Sequence, residues 1–127
     1  MDGRDQVFRS GLEKLGLDVE SGLRYCMENP DFYEEMLSDF VSTADMNRDD
    51  LERFLKQGDL HAYETAVHAL KSTSRTIGAV SLSELARELE MAAKEKNEDA
   101  LRSVHPDLLS LYPKMVEEIR TLLKSRQ

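Results

Sequence analysis

Apolar residues in this chain recur at intervals of three and four, not two, in several stretches parted by short polar breaks. The first regular stretch predicts a short helix over 19–27, with Asp18 as its N-cap and Leu23 and Cys26 turned inward. Asn29-Pro30 is a helix start signal, a capping side chain followed by a proline that needs no donor. From there Tyr33, Met36, Leu37, Phe40, Val41, Ala44, Leu51, Phe54 and Leu55 predict one long helix over 31–56. Gly58 closes it, and Asp59 caps a central helix over 60–77. Gly78 breaks that helix, and Ser81-Leu82-Ser83-Glu84 reads as a capping box for the next, which runs to about residue 96. Leu82, Leu85, Ala86, Leu89 and Ala93 form its apolar stripe. A last helix over 98–124 carries Leu101, Val104, Leu108, Leu111, Tyr112, Met115, Val116, Ile119 and Leu122 inward. Pro106 and Pro113 each remove a backbone donor, so a kink or break is expected near Pro106. Residues 1–16 are less regular. Val7, Phe8, Leu12 and Leu15 have helical spacing, but Gly3, Gly11 and Gly16 oppose it, which fits a short docking helix or a linker from a longer protein. The expected fold is all-α: an antiparallel up-down-up-down four-helix bundle over 17–127 with a short additional N-terminal helix, preceded by an extension over 1–16.

Composition supports this reading. Of 127 residues 40% are hydrophobic and 33% charged, a globular balance rich in helix formers, and there is no tryptophan. The formal charge of −8 argues against a nucleic-acid or anionic-membrane surface, both of which need clustered cations. Cys26 is the single cysteine, so neither a disulfide framework nor a thiolate zinc site is available, and its apolar surroundings suit a buried small hydrophobe. No run has the length of a membrane span, and the N-terminus lacks the apolar centre of a signal peptide. A cytoplasmic monomer is the expectation.

The central helix holds the residue that does not belong to a core. On a helical wheel Tyr63, Ala66, Val67, Leu70, Ser74 and Ile77 lie within roughly 50° of one direction, while His68 points about 160° away from it. Lys71, Ser72 and Arg75 follow His68 at i+3, i+4 and i+7, on the same surface of the helix. A neutral imidazole is a nucleophile near neutral pH, because its unperturbed pKa is about 6.5. A lysine one turn on sets a positive point charge beside it. Arg75 could add a second, meet an acidic partner, or stay a solvated surface arginine. His61 lies one heptad earlier on the outer face, but Glu64 follows it at i+3 and would repel an incoming anion, so it is expected to be inert. His105, beside Pro106 near the inward stripe, is expected to be a cap or packing residue.

These residues resemble the histidine-containing phosphotransfer (HPt) domains of two-component phosphorelays. The family pattern is His-x-Leu-Lys-Gly, followed after a few residues by Ile/Leu-Gly-Ala. Here it is His68-Ala69-Leu70-Lys71-Ser72 and then Ile77-Gly78-Ala79. Leu17-Asp18, Phe32-Tyr33, the region of Phe40, Gly58-Asp59 and Leu89-Glu90 extend the resemblance over roughly residues 17–124. Ser72 departs from the pattern, standing where the family has a glycine that lets the partner approach. The resemblance implies that His68 receives and donates a phosphoryl group, through Nε2, between aspartates of response-regulator receiver domains. It implies that Lys71 stabilises the phosphate, with Ser72 and Arg75 near the phosphate or the partner, and that Gly78 is structural. Mg²⁺ is expected on the receiver domain, with no cofactor bound by this chain. Such a protein is a phosphocarrier without kinase activity of its own, either free-standing or a domain of a hybrid sensor kinase.

Three other readings are weaker. A metal site shared by His61 and His68 is opposed by spacing, since two turns separate them by about 10 Å. A histidine kinase would need a nucleotide-binding α/β domain for which the chain has no room. A helical-bundle adaptor that binds receivers without phosphotransfer would need neither His68 nor Lys71.

Overall fold

The helical spacing is realised as seven α-helices in a computed structural model that describes residues 3–126. They are α1 (Gly3–Lys14), α2 (Val19–Tyr25), α3 (Pro30–Ser42), α4 (Ala44–Gln57), α5 (Leu60–Thr76), α6 (Val80–Lys94) and α7 (Glu98–Lys124). No strand occurs among the described residues. The four-helix bundle consists of α3 and α4 taken together, α5, α6 and α7. In it α5 packs against α6, α6 against α7, α4 against α5, and α3 against α7. Short connections between successive helices turn the chain back each time. Leu37, Tyr63, Leu89, Leu108 and Ile119 are fully buried at its centre. The N-terminal helices add to this core: α1 lies against α7 and buries Phe8 and Leu12, and α2 lies against α3 and α5.

The caps explain where most helices start. Asp18, Asp59 and Asn97 accept from the backbone N–H groups of Ser21, Ala62 and Ala100, and Asn29 accepts from those of Asp31 and Phe32. Gly58 closes α4 in the left-handed conformation at φ 72°, as its position predicts. The short helix ends two residues early, at Tyr25, because Met27 and Glu28 take positive φ and turn the chain toward α3.

Three expectations are corrected. The single helix over 31–56 is two, parted at Thr43. The hydroxyls of Ser42 and Thr43 both donate to the carbonyl of Asp39, competing with the backbone where the helix divides. The capping box at Ser81 does not form. Helix α6 starts at Val80, with buried Ala79 as an N-cap that has no side-chain bond, and Ser83 donates instead to the carbonyl of Lys71 on α5. The break expected near Pro106 is absent, and helix α7 runs on through both prolines. Pro106 and Arg102, whose carbonyl loses its intrahelical donor, both lie on the exposed face, which leaves that carbonyl open to solvent.

Gly78 is where the N-terminal helices join the bundle. Its φ of +84° is left-handed, and a Cβ there would fall 2.1 Å from the carbonyl oxygen of Asp18. The Asp18 N–H donates to the Gly78 carbonyl at 2.8 Å. Next to it, Tyr33 donates its hydroxyl to the Ile77 carbonyl at 2.8 Å, and Gly22 leaves room for that ring. The end of α5 is thereby fixed from two sides.

Candidate functional site

Helix α5 turns Tyr63, Val67, Leu70 and Ser74 into the core, which leaves His68 on its outer surface with 59% of its side chain exposed. The imidazole is nevertheless held. Its Nδ1 lies 2.5 Å from Oε2 of Glu90 on α6, and Nζ of Lys71 donates to Oε1 of the same carboxylate at 2.6 Å. Glu90 is thus a fork between two residues of α5, and its own side chain is only 7% exposed. With Nδ1 engaged by a carboxylate, the proton-bearing nitrogen is Nδ1. Nε2 lies on the opposite edge of the ring, with no hydrogen-bond partner among the described residues.

The electrostatics agree with the geometry. Burial pushes the Glu90 carboxyl up, but hydrogen bonds from Lys71 and His68, with their charges, outweigh burial and hold it below the ordinary carboxylate range. The fork is therefore anionic near neutral pH. A carboxylate on Nδ1 fixes the ring, sets its tautomer and stabilises positive charge that develops on it.

The other residues predicted for the site are distributed around this fork. Lys71 does not stand in open solvent, as a surface phosphate clamp would. Its side chain is 18% exposed and paired with Glu90. The ammonium has three donors, and its bond to Glu90 uses a single one of them. Ser72 is exposed, and its hydroxyl donates to the His68 carbonyl at 3.2 Å rather than to the imidazole. Arg75 is exposed two turns along α5, with no ion pair among the described residues. His61 is 91% exposed, its Nδ1 3.9 Å from Glu64, beyond hydrogen-bond range. His105 is buried, with Nδ1 2.8 Å from the Tyr63 hydroxyl, a packing residue of the core. Glu90 is the member of this cluster that the sequence reading named only within the Leu89-Glu90 resemblance and gave no role. Its signal was present: a carboxylate next to Leu89 and one turn after Ala86, at the edge of the apolar stripe of α6.

The described residues thus form a helical bundle with an exposed, carboxylate-held imidazole on a central helix. The family model of the Hpt domain matches residues 35–122, most of the chain, and the protein belongs to that family of histidine phosphotransfer domains. Among solved structures, the fold is similar to that of a rice protein provisionally assigned as a histidine-containing phosphotransfer protein. The TM-score is 0.76 at 21% identity, over 95% of this chain and 91% of that one. It is also similar to histidine-containing phosphotransfer protein B (HptB) of Pseudomonas aeruginosa PAO1, with TM-score 0.68 at 26% identity, over 87% of this chain and 92% of that one. No curated protein sequence matches the chain. No helix among the described residues is long and apolar enough to cross a membrane.

Proposed function

We propose that this protein relays a phosphoryl group between receiver-domain aspartates, carrying it as phosphohistidine on Nε2 of His68. The observation that supports this is the Glu90 fork, which holds Nδ1 and leaves Nε2 free on an exposed helix face. The Nε2 lone pair attacks the phosphorus of the receiver's aspartyl phosphate. The N–P bond forms as the P–O bond to the aspartate breaks, and the aspartate leaves as a carboxylate. No proton needs to move. The ring becomes a phosphorylated imidazolium whose Nδ1–H stays on Glu90, and the buried carboxylate balances its positive charge. The free N–H bonds of Lys71 meet the equatorial phosphoryl oxygens. Transfer to a second receiver is the same step reversed. The receiver supplies Mg²⁺ and its acidic pocket, and the relay works in the cytoplasm.

The test uses two donors. A receiver domain carrying aspartyl phosphate should label the protein with acid-labile, base-stable phosphate, and phosphoramidate, a small donor that needs no docking, should label it more slowly. His68→Gln should abolish both labels, and His61→Gln neither. Label that survives His68→Gln would overturn the assignment. Docking of a receiver without any transfer would favour an adaptor instead.

A further inference from the structure

Nine arginine side chains are described, and seven have a carboxylate within 4 Å. Arg75 and Arg87 are the two that do not, and both line one cleft of about 250 Å³ between α5, the start of α6 and Ser21 of α2. Against the single carboxylate of Glu84, these two guanidinium groups leave the cleft lining net positive in a protein of net charge −8. Glu84 lines the same cleft without pairing to either arginine.

Through Arg75 the cleft shares the α5 face that carries His68. On α5, His68, Ser72 and Arg75 follow at helical spacing, and on α6 Val80, Glu84, Arg87 and Met91 do the same. Val80 and Met91 are large apolar residues left 46% and 48% exposed at either end of the α6 row. Arg75 leaves α5 two turns, about 10 Å, beyond His68, so the cleft is offset from a phosphoryl group on Nε2. An apolar-flanked patch with paired guanidinium forks beside a reactive centre fits a partner's carboxylates, which those forks bind in bidentate fashion.

We infer that the Arg75–Arg87 cleft is a docking subsite that takes acidic side chains of the receiver domain, outside the phosphoryl-transfer centre. This deepens the proposed function and rests on it for the identity of the partner. Charge there steers the receiver onto the His68 face and fixes its register without entering the chemistry.

The probe is, from a panel of receiver domains, the one that binds the wild-type protein most tightly. Its binding is measured by fluorescence titration in the His68→Gln background, so the reading does not depend on transfer. Arg87→Glu should weaken binding about tenfold, and Arg75→Glu with Arg87→Glu further, with a shallower dependence on ionic strength. Replacing both arginines by lysine should recover part of the loss, which separates charge from misfolding. Phosphoramidate labelling of Arg87→Glu in the His68 protein should fall far less than receiver binding. The inference is overturned if both glutamate variants bind within twofold of the parent, if the lysine pair binds as poorly as the glutamate pair, or if phosphoramidate labelling falls in step with binding. Absence of receiver binding by the parent would overturn it as well. Binding without any phosphotransfer to His68 would leave the subsite standing and remove the relay.

Discussion

At Glu90 a charged side chain is nearly buried, yet both of its oxygens are bonded. Replacing it by glutamine keeps an oxygen for Nδ1–H and removes the charge. Glu90→Gln should therefore slow phosphoramidate labelling of His68 about tenfold, the loss of one buried electrostatic stabiliser whose hydrogen bond is retained. The acid limb of stability should change with it. A carboxyl held below its ordinary value stabilises the fold fully above the ordinary carboxylate range and loses that contribution as pH falls through the depressed value. The glutamine variant should lack this part of the acid limb in urea titrations below about pH 5. His68 was legible in the sequence because outward projection is a property of one helix. The surroundings of Lys71 were not. It lies about a quarter turn from the inward direction of α5, and only the placement of α6 covers that flank.

Among the elements, the junction of α5 with α2 leaves the least latitude. A side chain at Gly78 meets two obstacles: a left-handed backbone and, at 2.1 Å, a backbone oxygen that cannot turn aside as a flexible side chain would. Gly78→Ala should cost about 3 kcal/mol or more, read as a lowered urea midpoint, with α2 released from the bundle. That Gly78 ends a helix was readable from its neighbours, whereas its contact with Asp18 joins residues 60 positions apart and leaves no local trace. The same division runs through the other helices. Asp18, Asn29 and Asp59 were readable as caps because a cap bonds within three residues of itself. The apparent box at Ser81 failed because buried Ala79 starts α6 earlier, and Ser83 is drawn to α5. The division at Thr43 carried a signal, two adjacent hydroxyl residues on one carbonyl, that apolar spacing alone does not register.

Over the whole molecule, the bundle was legible because each apolar stripe is wide enough to name its inward face, and short connections leave few ways to stack four helices. The role of α1 was less legible. Its glycines weaken the helical pattern, and its hold on the bundle comes from the far end of the chain. Arg126 bonds Asp5 and Glu34 and lies over the Phe8 ring, joining the C-terminal end to α1 and α3. Stability of the assembled bundle should also depend on pH through His105. Burial holds its pKa below the ordinary value against the opposing charge of Glu52. The unfolded chain takes up a proton first, near pH 6.5, so the stability from neutral His105 is full above that pH and falls as pH drops through the folded value. Melting temperatures should decline from about pH 6.5 downward, and His105→Gln should be flatter over the same range.

The Asp18–Gly78 bond also bears on the order in which the molecule is assembled. Helices α5 and α6 form a local hairpin, and its contacts close with little loss of chain entropy. The seat for α2 exists only after that hairpin has formed the Ile77–Gly78 turn. Helix α2 should therefore dock only after that hairpin has formed. The Asp18 amide, whose acceptor lies across this seam, is protected from exchange with solvent only while α2 is docked.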